Sequence, residues 1–163
     1  MPQTTDTTAA AVPAGLSARI LVTGSREWTD RGAVVAALRC AMGSIAQTNH
    51  VHPGQLDITL VHGAARGLDT LAADVAYTDF GWTIEAHPAN WKPDGPAGRL
   101  DRAAGHKRNK LMVDLGATMV VGFPLGRSPG TRGCLRAAHA AGLSTWVASV
   151  DKNTVTVAPY NET

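Results

Sequence analysis

The feature that most constrains the fold is a unit in which an apolar run, a glycine loop and an amphipathic helix follow one another. The run begins at Ile58 and is short, which is typical of a strand buried on both faces of a parallel sheet. Small residues surround one cation in the loop His62–Gly67, and a helical stripe follows. The stripe consists of Leu68, Leu71, Ala72, Val75, Ala76 and Phe80. Such a unit offers backbone N–H groups to an anion, although an ordinary βα turn that needs two glycines explains it equally well.

The same kind of unit occurs again nearer the C-terminus. An apolar run at Ala117–Phe123 leads into the loop Pro124–Gly133, which is rich in glycines, hydroxyls and cations, and then into a helix that Gly142 ends. The remaining predicted strands are Ala18–Thr23, Trp82–His87 and Ser144–Ala148, with Thr154–Val157 either a short edge strand or part of a tail.

Strands that alternate with helices predict an α/β fold with a doubly wound, mostly parallel sheet. We expect about five strands, with helices on both faces, in a single domain over residues 18–150. Residues 1–17 are rich in Thr, Ala and Pro and are predicted to be a disordered tail. Residues 151–163 form the C-terminal tail or edge strand.

Composition excludes several classes of protein. The formal net charge of +2 is too small to indicate nucleic-acid binding from bulk electrostatics. Cys40 and Cys134 show neither metal-ligand spacing nor a disulfide pattern, and His50 and His52 have no third ligand nearby. We therefore predict no metal and no cofactor. Since there is no apolar run of about 18 residues and no signal-peptide pattern, we expect a soluble, cytoplasmic protein.

A candidate site follows from the predicted topology. If the strand order is 3-2-1-4-5, the loops after strands one, two and four border one crevice at the carboxyl ends of the strands. The candidate ligand-binding residues on these loops are Gly24, Ser25, Arg26, His62, Gly63, Ala64, Arg66, Ser128, Gly130, Thr131 and Arg132. Glycines allow close backbone approach, hydroxyls donate hydrogen bonds and arginines balance charge. This combination predicts a phosphate-bearing ligand.

Arg108 belongs to a cationic helix predicted over Leu100–Leu115. Helical spacing places it on a buried stripe made of Ala104, Leu111, Met112 and Leu115. An arginine there either extends past the core to the rim or meets an anion at the strand ends. We favour the anion because Asn109 beside it adds a hydrogen-bonding group.

Two other residues have alternative roles that the sequence leaves open. Asp69, one turn into the second helix, either accepts a ribose hydroxyl or caps its own helix. Trp91 lies in the irregular stretch Pro88–Gly98. A loop of this length that carries a tryptophan either covers a ligand or is pinned to the body by that side chain.

The chain carries four motifs, at Thr23–Arg26, His62–Asp69, His106–Met112 and Ser128–Thr131. Together they resemble the SLOG superfamily, and in particular its YspA/YpsA-related branch of small bacterial and phage proteins. The resemblance runs from about Arg19 to Val147. Relatives include the LOG phosphoribohydrolases and the single-stranded-DNA-binding protein DprA. The resemblance implies a Rossmann-like fold that binds a nucleotide or a nucleotide-derived ligand, and homodimers are common among these relatives.

The resemblance to LOG enzymes is incomplete at their catalytic positions. When the sequences are aligned on the Gly-Thr pair of the last motif, the catalytic Glu of the LOG enzymes corresponds here to Cys134. Their Arg-Lys pair corresponds to Arg108-Asn109, so only the arginine is shared. Cleaving an N-glycosidic bond needs a carboxylate near the sugar. Asp69 and Glu27 are the candidate catalytic substitutes.

Three functions are compatible with these residues. The first is a nucleotide-binding module that senses, carries or sequesters its ligand. The second is a nucleotide-processing hydrolase with a relocated carboxylate. The third is a DprA-like single-strand binder that uses the cationic stretch Arg99–Lys110, for which the sequence offers few stacking aromatics. We rank them in that order, so a small-molecule nucleotide is the expected partner and nucleic acid a less favoured one.

Overall fold

The computed structural model describes residues 15–162, which form one six-stranded sheet flanked by four α-helices. The elements, in chain order, are β1 (Leu16–Gly24), α1 (Arg31–Thr48), a short 3-10 helix (Pro53–Gln55), β2 (Leu56–His62), α2 (Leu68–Phe80), β3 (Thr83–Ala86), α3 (Ala104–Asp114), β4 (Met119–Phe123), α4 (Pro129–Ala140), β5 (Thr145–Asp151) and β6 (Thr154–Pro159). Among the described residues, no helix is long and apolar enough to cross a membrane.

The strand order is β3-β2-β1-β4-β5-β6, and the first five strands run parallel. This confirms the doubly wound α/β sheet and the 3-2-1-4-5 order on which the candidate site depends. The order reverses direction at β1, where the chain crosses from one half of the sheet to the other. Gly24 and Phe123 are register partners at the carboxyl ends of β1 and β4. A crevice at this switch point is therefore the expected place for a ligand.

Buried side chains cover both faces of the central strands. Val22 and Leu60 pack into the larger apolar cluster with α1 and α2, whereas Leu21 and Val61 pack into the smaller one with α3 and α4. Neighbouring residues on a strand point to opposite faces, so a strand with both faces covered must be apolar throughout. This burial on both faces explains why the apolar runs of the central strands are uninterrupted in the sequence.

The sixth strand resolves an alternative that the sequence left open. Residues Thr154–Pro159 pair antiparallel with β5. The turn between the two strands is Lys152-Asn153, and both residues have positive φ, at 44° and 70°. Two consecutive residues of this kind are typical of a tight hairpin turn. The C-terminal segment is thus an edge strand, and the sheet has one strand more than the five expected.

Other boundaries differ from the sequence prediction. β1 begins at Leu16 instead of Ala18, so the last residues of the predicted tail are strand; residues 1–14 lie outside the described part of the chain. Helix α3 begins at Ala104 instead of Leu100. The predicted stripe of α3 was wrong in part, because Leu111 and Leu115 are 49% and 52% exposed. Ala104 and Met112 are buried as predicted. Helix α3 packs mainly against α4, and Val113 is turned into the core in place of Leu111 and Leu115.

Candidate functional site

A crevice of about 350 Å³ opens at the carboxyl ends of the central strands. Its walls come from the end of β1 and the loop after it, the start of α2, the β3–α3 connection with α3, and the start of α4. The lining residues are Val22, Thr23, Gly24, Ser25, Arg26, Ala65, Asp69, Trp91, Arg102, Gly105, His106, Arg108, Asn109, Met112, Ser128, Pro129, Gly130 and Thr131. The loops after β1 and β4 therefore meet in one site, as predicted from the topology.

The start of α4 forms one wall of the crevice. Pro129 takes the first helical position, where its missing N–H costs nothing. Gly130 and Thr131 follow in the first turn, where helix N–H groups have no acceptor within the helix. Both residues line the cavity, and Thr131 is buried. This arrangement presents backbone donors and the positive end of a helix dipole to the crevice, which is the chemistry that holds an anion.

Ser128 supports this wall from the side of the loop. Its φ of 29° is left-handed, which turns the chain sharply into α4. The hydroxyl accepts a hydrogen bond from the Leu125 amide at 3.0 Å and donates one to the Leu125 carbonyl oxygen. Ser128 therefore shapes the loop through contacts that do not need a ligand.

Three arginines line the crevice from three different directions. Arg26 follows β1 and is exposed, Arg102 precedes α3 and is also exposed, and Arg108 is half-buried within α3. The Arg108 guanidinium donates to the carbonyl oxygens of Gly63 and His87, and its Nε donates to Asn109 Oδ1 at 2.8 Å. Burial lowers the pKa of Arg108 below its usual value. Arg108 thus both joins the β2 and β3 loops to α3 and adds positive charge to the cavity.

In the glycine loop after β2, the amides of Gly63, Ala64 and Ala65 are hydrogen-bonded within the protein. Asp69 Oδ2 accepts hydrogen bonds from the amides of Gly63 at 3.0 Å and Ala65 at 3.1 Å. The carboxylate of the protein itself therefore occupies the position that the sequence suggested for a ligand phosphate. His62 is buried behind the loop, and its Nδ1 accepts from the Ala64 amide at 3.1 Å. His62, Gly63 and Ala64 lie behind the cavity wall.

The side chains of Glu27, Arg66 and Arg132 do not line the crevice either. Glu27 and Arg66 form an ion pair with a nitrogen–oxygen distance of 2.8 Å, and both side chains are 74% exposed. Arg132 donates to the carbonyl oxygens of Arg127 and Gly126, each at 3.1 Å. These contacts fix surface loops at the rim. The geometry thus places Glu27 away from any sugar bound in the crevice.

Cys134 stands at the position that aligns with the catalytic glutamate of LOG enzymes. Its side chain is 1% exposed and belongs to the core cluster beneath α4. Burial raises the pKa of its thiol to about 11, so the group is neutral at physiological pH. Asp69 is the one carboxylate among the residues that line the crevice. Burial raises the pKa of Asp69 despite its two amide donors and the nearby Arg108.

The lining residues outside the predicted set include three from the α3 segment, Arg102, Gly105 and His106. A signal was present, because residues 102, 105, 106 and 109 have the spacing of one helical face, and Asn109 was already a candidate. Trp91 also lines the cavity, and its ring lies against the backbone of α3 at Gly105. It serves as a cavity wall while it also holds its loop to the body.

The fold and the crevice define a Rossmann-like α/β protein with a cationic site at the switch point of its sheet. Residues 18–93 match the model of the YspA, cpYpsA-related SLOG family. The chain is 40% identical over 129 residues to the Gene 61 protein of Mycobacterium phage D29, a match that covers 77% of this chain and 91% of the phage protein. The chain belongs to the YspA, cpYpsA-related SLOG family.

Two solved structures of DNA processing protein A, DprA, share the fold. The protein from Streptococcus pneumoniae superposes with a TM-score of 0.61 at 17% identity, over 83% of this chain. The one from Helicobacter pylori, described for its single-stranded DNA binding mode, gives a TM-score of 0.55 at 13% identity over the same share. The chain spans 51% of the pneumococcal protein and 67% of the Helicobacter protein. At these identities the similarity establishes the Rossmann-like fold.

Proposed function

We propose that this protein binds a nucleotide or a nucleotide-derived ligand in the crevice, with a phosphate group at the start of α4, as a sensor, carrier or sequestering module. The observation that carries the proposal is the convergence of the first-turn amides of Gly130 and Thr131 with three arginines in one cavity. Its volume of about 350 Å³ falls in the range of roughly 300–1,000 Å³ typical of small-molecule sites.

The charge balance of the crevice supports an anionic ligand. Arg26, Arg102 and Arg108 contribute three positive charges to the lining, and Asp69 contributes the one carboxylate. The Asp69 carboxylate is already hydrogen-bonded to two backbone amides. A ligand phosphate would therefore meet unbalanced positive charge and charge-assisted donors, which favours its binding.

Binding without bond cleavage is favoured over hydrolysis. A neutral, buried thiol at Cys134 supplies no carboxylate to stabilise positive charge on a sugar. Hydrolysis would have to depend on Asp69, whose Oδ2 already holds the glycine loop in place. Activity on a nucleotide is therefore the weaker alternative.

Single-stranded DNA is the second candidate ligand, and the fold similarity to DprA favours it. Two of the cations in the stretch Arg99–Lys110 are already engaged, since Lys107 pairs with Asp101 at 2.7 Å and Lys110 pairs with Asp114 at 2.6 Å. These ion pairs reduce the positive charge available to a nucleic-acid backbone. For this reason we rank DNA below a mononucleotide.

Thermal unfolding of the purified protein against AMP, ADP-ribose, NAD, cyclic nucleotides, N6-modified AMP and a short oligonucleotide tests the proposal. A ligand at a thousand times its Kd stabilises the folded state by about 4 kcal/mol, which raises Tm measurably. We expect a rise with at least one mononucleotide or dinucleotide. Thr131→Val should weaken that binding about 10-fold, because valine has nearly the volume of threonine but lacks the hydroxyl at the phosphate site.

Arg136→Gln is the matched control, since Arg136 is exposed on α4 and does not line the crevice. It should bind like the wild type. No Tm change with any nucleotide at millimolar concentration would overturn the proposal. If the oligonucleotide alone shifts Tm, and its affinity falls steeply with added salt, the DNA-binding function replaces the proposed one.

A further inference from the structure

We infer that Trp91 and Arg26 form a nucleobase subsite at the mouth of the crevice, in which the base stacks on the indole face of Trp91. The inference rests on the proposed function and names the chemistry at the other end of the ligand. The phosphate would lie at α4, and a planar aromatic base would lie at the wall formed by the β3–α3 connection.

The position of Trp91 is fixed before a ligand binds. Its carbonyl oxygen accepts a hydrogen bond from the Asp101 amide at 2.9 Å. Asp101 Oδ1 in turn accepts a hydrogen bond at 2.9 Å from the amide of Ala103, the residue that precedes α3. The indole edge lies over α3, where a Cβ built on Gly105 would be 3.5 Å from Trp91 Cη2. The ring is thus held along one edge while 39% of the residue stays exposed.

Arg26 covers the free part of this ring. Its Cζ lies 5.9 Å from the indole centroid, within the range of a cation–π contact. Arg26 is exposed, and its side chain makes neither an ion pair nor a hydrogen bond within residues 15–162. It can therefore move aside at little cost. A base that enters replaces the cation over the indole or is sandwiched between the two groups.

The subsite recognises a base by its face. Stacking on an aromatic ring depends on the area and polarisability of the base, and every base has a π-face. The side chains at this wall are Trp91, which offers a ring face, and Arg26, whose planar guanidinium over that ring offers a face as well. The ligand class is consequently a nucleotide with a large base. Purine nucleotides should bind more tightly than pyrimidine nucleotides, and adenine and guanine nucleotides should bind with similar affinity.

Binding of AMP and of ribose 5-phosphate, measured by calorimetry on wild type, Trp91→Leu and Trp91→Phe, tests this subsite. The wild type should prefer AMP by about 10- to 100-fold, which corresponds to one base stacked on an aromatic ring. Trp91→Leu should reduce that preference to a few-fold and leave ribose 5-phosphate affinity unchanged. Trp91→Phe should keep most of the preference. Trp146→Phe, in β5 away from the crevice, is the control and should bind both as wild type does.

The outcomes separate the two proposals. If the wild type binds both probes and Trp91→Leu keeps the preference for AMP, the base subsite is overturned and the phosphate site stands. Equal weakening of both probes by Trp91→Leu also overturns it, because the side chain would then only hold the loop. If the wild type binds neither AMP nor ribose 5-phosphate, this inference is overturned, whereas the proposed function fails only when no nucleotide shifts Tm.

Discussion

Asp69 determines what the glycine loop His62–Gly67 can bind. Its carboxylate fills the amide cradle of the glycine loop, so the loop is closed by the protein and not by a ligand. Both roles that the sequence allowed, a ribose contact and a cap on its own helix, differ from this one. Asp69 reaches back to amides that precede α2 and fixes the path of the chain between β2 and the crevice.

Replacing Asp69 should lower stability to a degree that depends on the acceptor left behind. Asp69→Ala removes the partner of two backbone amides, one of them buried, and should reduce the free energy of unfolding by about 1–3 kcal/mol. Asp69→Asn keeps an acceptor oxygen and should cost less. Urea unfolding at pH 7 measures both values. If Asp69→Ala is as stable as the wild type, the hydrogen bonds described here do not hold the loop.

The wild type and Asp69→Asn should also differ in how their free energy of unfolding depends on pH, and the sign of that difference is definite. The folded-state pKa of Asp69 is raised by burial, so between the ordinary value of 3.8 and the raised value the folded protein binds more protons than the unfolded chain. The contribution of Asp69 is therefore largest below pH 3.8 and declines as pH rises through the folded pKa. The stability of the wild type relative to Asp69→Asn should decrease over this window in a urea unfolding series.

At the scale of elements, the loops after β1 and β2 are interlocked. Ser25 accepts hydrogen bonds through its carbonyl oxygen from the amides of Trp28 at 3.2 Å and Leu68 at 3.1 Å. Gly67 has a φ of 74°, and a Cβ there would overlap the backbone of Arg26. The start of α2 therefore sets where Arg26 lies at the crevice.

Gly67→Ala and Gly81→Ala compare a glycine packed on the Arg26 backbone with one in open space. Both glycines have positive φ, at 74° and 67°, but a Cβ on Gly81 meets no atom within 4 Å. Gly81→Ala should cost about 1–2 kcal/mol, the penalty of a left-handed conformation. Gly67→Ala should cost about 1–3 kcal/mol more, because a Cβ overlaps the Arg26 backbone and because φ 74° with ψ −122° is a conformation that only glycine adopts readily; it should also weaken AMP binding. Chemical denaturation with a parallel binding assay compares them; equal costs would mean that the two loops are not tightly packed.

The sequence predicted the central elements well, because their pattern has a local cause. Apolar runs at β1, β2 and β4 follow from burial on both faces, and the alternation with helices then sets the parallel sheet. The start of α3 and the inward position of Val113 could not be predicted, since packing against α4 determines which side of that helix faces inward. The same holds for Trp91, because Arg26 lies on a segment that only the tertiary structure brings to it. The partners of Asp69 lie only four and six residues before it, but the loop conformation that brings them together has no sequence pattern.

At the scale of the whole molecule, the crevice joins three chain segments that are distant in sequence. Arg26 follows β1, Trp91 precedes α3 and Thr131 begins α4, and all three line one cavity at the switch point of the sheet. The sheet itself supplies the rigid frame, because β1 and β4 are neighbours at its centre. The central claim is that this frame holds the phosphate and the base of one nucleotide.

The most direct test is an NMR titration of isotopically labelled protein with the nucleotide that gives the largest thermal shift. We expect the greatest changes at the amides of Gly130 and Thr131, together with the Arg26 amide and the Trp91 indole N–H. Residues of α1 and β6, on the far side of the sheet and at its edge, should not change. Saturable changes confined to α1 or β6, or none at the start of α4, would contradict the account.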